Sequence, residues 1–236
     1  MRMLRSAVLA LAALALGAAP AGAATTTVAD WQMNENAGAT VMVDSSGNNL
    51  TGAIGSSIQV GVTFDGAKGY NWPFRSPTNP PAEPGRIVVV NHNDLLNPGS
   101  GTYIVTVRYR TKQHFGNIIQ KGQAGSSTGY FKVENPQGRP LCKFRGRSST
   151  GSWLSKVVQS PTVISDNKWH TVRCERTSSK VTMTLDGVVV ATANGSSGTI
   201  SNRRPISIAG KYVCDNVSVT CDYFTGHIDY IKIERG

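Results

Sequence analysis

The chain has 236 residues, with 24 Lys and Arg against 14 Asp and Glu, four cysteines and a formal net charge of +10. After residue 23 no stretch approaches the ~20 apolar residues a membrane helix needs, and no Pro- or Ser-rich linker divides the chain. These features exclude a membrane-spanning helix in the body of the chain and favour one domain over two joined by a linker.

Residues 1–23, MRMLRSAVLALAALALGAAPAGA, carry the three parts of a secretory signal peptide. Arg2 and Arg5 supply the positive start, Ala7–Ala19 the apolar run, and Ala21-Gly22-Ala23 the small residues of a cleavage site. Cleavage after Ala23 leaves 213 residues, 24–236, as one exported domain. Its net charge is +8, from 22 basic and 14 acidic residues.

Period-two alternation dominates the exported domain, and no convincing helical periodicity is present. Tyr70, Trp72 and Phe74 alternate and read as a buried strand face, running into a Pro-rich surface loop, Pro73–Pro84. Tyr103–Arg110 puts Tyr103, Val105, Val107 and Tyr109 on one face and Thr106, Arg108 and Arg110 on the other. Strands are expected at Gly116–Lys121, Tyr130–Glu134, Leu141–Arg147 and His170–Arg176. Val181, Met183 and Leu185 alternate with threonines and end in Asp186-Gly187, a hairpin signal before Val188–Ala193. Pro205–Ala209 and Ile228–Ile233 complete the series. In the last, strict alternation would put Asp229 beside Ile231 and Ile233 and turn Ile228 away. Either a bulge or a partly buried carboxylate is therefore expected. Many short strands with Gly, Asn and Ser turns indicate an all-β, two-sheet antiparallel jelly-roll sandwich.

Four cysteines in an exported chain imply two disulfides, with three connectivities open. Cys214 and Cys221 bracket a six-residue polar stretch and suit a local loop. Cys142 and Cys174 lie in expected strands and alternate with Phe144 and Val172, so both thiols should point inward, where adjacent strands could bring them together. No CxxC spacing supports zinc.

Several segments recur in a familiar order: WQMNENAG (Trp31–Gly38), DSSGNNLTG (Asp44–Gly52), FDG (Phe64–Gly66), YIVTVRYRT, NIIQKG (Asn117–Gly122), NKWHTVRCERT, VTMTLDG and FTGHIDYIKI. In this order the chain, from about Asp30 to Arg235, resembles laminin G-like domains of the concanavalin A-like lectin/glucanase superfamily. The resemblance implies a jelly roll with an extracellular recognition role, and core positions for Trp31 and Trp169. It does not imply a particular sugar, because the Pro-rich loop and the Cys214–Cys221 loop look like local elaborations.

Glycosidases need two carboxylates at a controlled separation. The superfamily's glucanases carry ExDxxE or ExDxE on one strand; here Glu35, Glu83, Glu134, Glu175 and Glu234 are isolated. GSSTG at Gly125–Gly129 fits GxSxG but falls between two expected strands, not at a strand-to-helix turn. These residues lean away from catalysis: no catalytic residue is assigned, and a polysaccharide hydrolase or lyase is the alternative. Some laminin G-like domains hold Ca²⁺ through Asp side chains and carbonyls. Asp44 and Asp229 are the candidate ligands for a structural calcium, against plainer roles as a turn residue and a hydrogen-bonded carboxylate.

Charge is more telling. Arg108–Lys156 holds ten basic residues and one acid, so this window carries the whole excess. Arg108 and Arg110, Lys132, and Lys143, Arg145 and Arg147 occupy the polar faces of their strands. If these strands share a sheet, they form a basic stripe beside Trp153, an aromatic platform in the Gly/Ser-rich stretch Ser148–Ser155. Arginine forks to carboxylate, sulfate or phosphate, so an extracellular or cell-wall polysaccharide with acidic groups is the expected partner. A solvated sheet face is the plainer reading. A protein partner is the other candidate, and no aromatic-interleaved RNA motif points to nucleic acid. His170, beside Trp169, is expected to be structural.

Overall fold

The computed structural model describes residues 24–75, 82–215 and 221–236. The signal segment 1–23 lies outside the described residues. Among the described residues sixteen strands build two antiparallel sheets. One sheet, here sheet A, runs in the order β14 (Val188–Asn194), β13 (Lys180–Leu185), β12 (His170–Arg176), β7 (Tyr103–Arg110), β16 (Gly226–Arg235), β5 (Ala67–Trp72) and β4 (Gln59–Phe64), with β1 (Thr26–Trp31) also on β16. Sheet B runs β11 (Trp153–Gln159), β10 (Leu141–Arg147), β9 (Tyr130–Glu134), β8 (Asn117–Lys121), β15 (Ile206–Ile208), β6 (Val88–Val90), β3 (Gly52–Ile54) and β2 (Val41–Met42). This is the expected jelly-roll-like sandwich.

The alternation read from the sequence sets the core. Tyr103, Val105, Val107 and Tyr109 of β7 are fully buried, as are Val172 and Cys174 of β12 and Val181 and Met183 of β13. They meet Phe131, Val133, Cys142 and Phe144 of sheet B in one cluster. Burying such side chains stabilises by roughly 1.5–3 kcal/mol each. The turns behave as their residues dictate. Asp65-Gly66 and Asp186-Gly187 each take positive φ at both positions (47° and 79°; 48° and 84°), which gives a tight hairpin the right-handed twist of its strands.

Both disulfides form as the spacing suggested, Cys142–Cys174 and Cys214–Cys221. The first joins β10 of sheet B to β12 of sheet A, so it staples the two sheets through the core and does not link adjacent strands. The last strand has the bulge: register shifts between Ile228 and Tyr230, which lets Ile228, Ile231 and Ile233 all face inward. Asp229 sits at the bulge and pairs with Arg108.

Two expectations on aromatic residues change. Tyr70 and Trp72 are buried, but Phe74 is 69% exposed, because β5 ends at Trp72 and Pro73 cannot extend the ladder. Trp169 precedes β12 and is half-buried on the outer side of sheet A, its indole N–H donating to the Phe64 carbonyl at 3.1 Å. Trp31 is in the core, its N–H donating to the Leu50 carbonyl at 2.7 Å. His170, beside Trp169, is held between Asp186 (2.7 Å) and Asp166 (3.1 Å). Among the described residues no helix is long and apolar enough to cross a membrane.

Candidate functional site: a basic aromatic face on sheet B

The expected stripe divides between the two sheets. Arg108 and Arg110 lie on the outer face of sheet A, on β7, whereas Lys132, Lys143, Arg145, Arg147 and Trp153 belong to β9, β10 and β11 of sheet B. The condition that these strands share a sheet therefore fails, because β7 pairs with β12 and β16 and not with β8. Arg108 and Arg110 are also neutralised. Arg108 pairs with Asp229, and Arg110, 7% exposed in its side chain, pairs with Asp65 at 2.5 Å. Both guanidinium groups cover the Trp169 ring, at 4.9 and 5.8 Å, and Arg110 also covers Phe64 at 5.0 Å. They finish the outside of sheet A.

On sheet B the register brings the remaining residues together. Across β9, β10 and β11, Lys143 stands between Lys132 and Val157, and Arg145 between Tyr130 and Ser155; Arg147 is opposite Trp153. Side chains directly opposite one another are close enough to interact. The two lysines would repel, but Lys132 is tied to Glu134. Lys143 instead lies over the Tyr130 ring at 5.7 Å. The centre of the face is Trp153, with Arg147 at 3.5 Å and Arg145 at 4.2 Å from its ring centroid. Trp153 opens edge strand β11 and is not in a loop, so a ladder fixes its place.

Arg147 also donates through Nε to the Ser127 carbonyl (3.1 Å) and through an NH group to the Gly151 carbonyl (2.9 Å). That first bond ties the face to the β8–β9 hairpin loop, residues 122–129. Beside it lies a cleft of about 340 Å³ lined by Gly125, Ser126, Ser127, Thr128, Asn202, Arg203 and Arg204. A second cavity of about 360 Å³ continues to Val213, Cys214 and Asp215, so these three residues wall the same groove. Arg203 and Arg204 are exposed, and neither meets a carboxylate among the described residues. Sequence reasoning missed this pair because it lies outside the basic window; the Arg-Arg dipeptide before Pro205 was its only signal. The GSSTG segment forms this hairpin loop, where Ser126 accepts from the Gln123 N–H and no strand-to-helix turn exists.

One acid stands apart, in a neighbouring pocket that Tyr130 and Lys132 also line. Burial pushes the Asp222 carboxyl up, against the lowering effect of Lys211 and Lys132. Lys211 bridges Asp222 (3.0 Å) and Asp215 (2.7 Å), so an ammonium already fills the space between these carboxylates.

The two candidate calcium ligands are not brought together. Asp229 serves Arg108. Asp44 accepts from the N–H groups of Asp30 (2.9 Å), Ser46 (3.0 Å) and Leu50 (2.9 Å) and from the Ser46 hydroxyl (2.8 Å). Burial raises the Asp44 carboxyl, but these bonds more than offset it and hold it below its ordinary value. Among the described residues no group of three or more His, Cys, Asp or Glu could hold a metal ion.

A family comparison accounts for the order of these elements. The family model for the Laminin G domain matches residues 110–235, more than half of the chain. The protein belongs to the laminin G domain family. Solved structures share the fold at low identity. The binding domain of Botulinum neurotoxin DC in complex with rat synaptotagmin II has 14% identity and a TM-score of 0.60, covering 88% of this chain and 48% of that one. The same binding domain in complex with SialylT has 13% identity and a TM-score of 0.57, covering 89% and 46%. The binding domain of Paraclostridial Mosquitocidal Protein 1 has 13% identity and a TM-score of 0.56, covering 89% and 48%. The chain spans about half the length of these structures. No curated protein matches it in sequence.

Proposed function

We propose that this protein is an exported, non-catalytic binding module whose outer face on sheet B takes an anionic polysaccharide. One observation carries the reading: Arg145 and Arg147 stack on Trp153 without any carboxylate partner among the described residues, whereas Arg108 and Arg110 are both ion-paired. A guanidinium held on an indole and spared a protein carboxylate keeps donors for an external one. Arg145 makes no side-chain hydrogen bond among the described residues, and Arg147 spends Nε and one NH group on carbonyls but retains its other NH groups. Trp153 offers an apolar ring for a sugar, and Lys143, Arg203 and Arg204 extend the positive surface toward the groove. Two disulfides and the laminin G fold suit an oxidising, extracellular setting. The neighbouring toxin binding domains are seen with a protein and with SialylT, and at their identity they bring only the fold to this chain.

The test is a binding measurement with heparin and polygalacturonate as probes, from about 0.05 to about 0.5 M NaCl, a range over which exposed charge interactions are progressively screened. Affinity should fall steeply with salt. Arg145→Gln or Trp153→Ala should weaken it about tenfold, as expected for one charge-assisted contact, and Arg108→Gln should leave it unchanged. Salt-independent binding, or equal loss in Arg108→Gln, refutes the assignment. Shortening of the polymer during the assay would favour the hydrolase or lyase alternative, and a protein partner indifferent to Arg145 would favour an adhesion role.

A further inference from the structure

The groove beside the basic face of sheet B has two walls, and both are fixed from behind. One wall of its first cavity, about 340 Å³, is the hairpin loop at Gly125–Thr128; the other is the segment Asn202–Arg204. Asn202 is only 8% exposed and joins them. Its side-chain amide donates to the Gly129 carbonyl (2.9 Å), and its side-chain oxygen accepts from the Arg204 N–H (3.0 Å). Its own N–H donates to the Asn97 side chain (3.0 Å). Lys121, fully buried, donates to the Arg204 carbonyl (2.5 Å). The walls are thus held by buried side chains, and the cavity is formed without a ligand.

The lining is rich in unused donors and holds no acid. Arg203 and Arg204 are both exposed, and neither guanidinium group has a hydrogen-bond or carboxylate partner among the described residues. Across from them, the N–H groups and hydroxyls of Ser127 and Thr128 also lack a protein partner among the described residues. Their carbonyls are engaged, that of Ser127 by Arg147 (3.1 Å) and that of Thr128 by the Ser201 N–H (3.3 Å). Donors are therefore left over and acceptors are spent. The adjoining cavity shares Gly125, Ser126 and Arg204 and continues past Ala124 and Val213. Its one acid, Asp215, is held by Lys211 at 2.7 Å.

Donors on two facing walls suit an anion whose oxygens point in several directions. A carboxylate lies in one plane and is satisfied by a single guanidinium fork. A phosphate ester presents three acceptor oxygens and carries nearly two charges at neutral pH. Two guanidinium groups with no carboxylate match that charge better than the single charge of a sulfate ester. The adjoining cavity then has room for the group to which the phosphate is esterified.

We propose that this groove binds a phosphomonoester, its phosphate between Arg203 and Arg204 on one wall and the Ser127 and Thr128 donors on the other. The esterified group lies toward Val213. The site rests on the anion-binding reading of this side of the molecule and names the anion recognised there.

The experiment is an NMR titration of the labelled protein with glucose 6-phosphate, glucose 6-sulfate and glucuronate, each to about 50 mM, which covers millimolar affinities. Glucose 6-phosphate should give saturable shifts at the Ser127, Thr128 and Arg204 amides and bind several times more tightly than the other two near neutral pH. Its advantage over the sulfate should shrink severalfold between about pH 7 and about pH 5, as the phosphate takes up its second proton near pH 6. Taking that ratio cancels the titration of His92, Lys121 and the Lys211–Asp215–Asp222 group near the groove. Arg203→Gln and Arg204→Gln keep the backbone bonds of the segment, and each should weaken glucose 6-phosphate about tenfold or more. Arg108→Gln should not. Heparin is titrated in parallel. Loss of heparin binding alone would remove the polymer reading and leave this site, and loss of glucose 6-phosphate alone would do the reverse. The proposal is overturned if glucose 6-phosphate does not saturate, if the sulfate or glucuronate binds as tightly, if the shifts centre on Trp153, or if Arg204→Gln binds as wild type does.

Discussion

Asp44→Ala is expected to destabilise the protein strongly and to do so without involving calcium. Asp44 is 8% exposed and its two oxygens take four hydrogen bonds, three of them from backbone N–H groups. These bonds pin the loop after β2 to the start of the sandwich at Asp30 and to the Leu50 strand entry. Removing the carboxylate orphans the buried Leu50 N–H, at about 1–3 kcal/mol, and the part-buried Asp30 and Ser46 N–H groups at about 1 kcal/mol each, since water reaches them. The sum, about 3–5 kcal/mol, corresponds to a Tm lower by roughly 6–20 °C for a domain of this size. The assay is thermal and urea unfolding of wild type and variant, each with CaCl₂ and with EDTA. Wild type and variant should differ by that amount in both media, because the acceptor positions of Asp44 are engaged by protein donors. Since the folded carboxyl lies below its ordinary 3.8, its contribution is present above that value and is lost as pH falls through the folded one. The variant should therefore show a shallower acid limb. A variant within about 1 kcal/mol of wild type would refute the hydrogen-bond account. Calcium raising the Tm of wild type and not of the variant would restore Asp44 as a metal ligand.

Removing the Cys142–Cys174 bridge, 32 residues apart, as the double alanine variant should cost about 4 kcal/mol through the freed unfolded chain, read as a lower urea midpoint. An unchanged midpoint would mean that the sheets need no staple. His227 makes acid sensitivity testable: its folded value, pulled down to about 4, lies below that of the unfolded chain, which takes up the proton first as pH drops. Stability is thus lost between about pH 6.5 and 4, by about 1–2 kcal/mol once discounted for a half-buried ring. His227→Phe should remove that part of the pH slope, and a parallel slope would contradict the shift. Gly129→Ala places a Cβ 2.3 Å from the Arg145 carbonyl at a φ of +95°, so it should cost about 2 kcal/mol or more and displace the hairpin loop. Urea unfolding and the loss of salt-sensitive heparin binding would both report it; an unaltered variant would show that the loop yields freely.

The strands most legible from sequence were those long enough to show alternation, although three-residue β15 was expected within Pro205–Ala209 and six-residue β1 and β4 were missed. β7 spans eight residues and β10 seven, and each repeats its inward apolar position along its length. In contrast β2, β3 and β6 have two or three residues, too few for a period to emerge, and their pairing partners supply the order that their sequence lacks. β11 was hidden differently: Gly151 and Ser152 precede it, and exposed Ser155, Val157 and Gln159 blur its edge-strand pattern. Sheet membership was the larger gap. β7 and β8 are neighbours in sequence yet enter opposite sheets, and nothing local in either strand encodes that choice.

The same gap explains how the candidate site changed. Alternation correctly turned Arg108, Arg110, Lys132, Lys143, Arg145 and Arg147 outward, because a charged group facing the core would be costly. What an outward cation does next depends on its neighbours across the sheet, and those come from distant sequence. Asp65 and Asp229, 45 and 121 residues from their partners, close off Arg110 and Arg108. No acid stands opposite Arg145 or Arg147; their cross-strand neighbours are Tyr130, Ser155 and Trp153. The basic window is therefore two surfaces. On sheet A the cations are spent on carboxylates and Trp169; on sheet B they remain open beside Trp153, and Arg203 and Arg204 join them from across the hairpin loop. Net charge alone would treat these surfaces alike, whereas their partners make one a finished wall and leave the arginines of the other without protein carboxylates among the described residues.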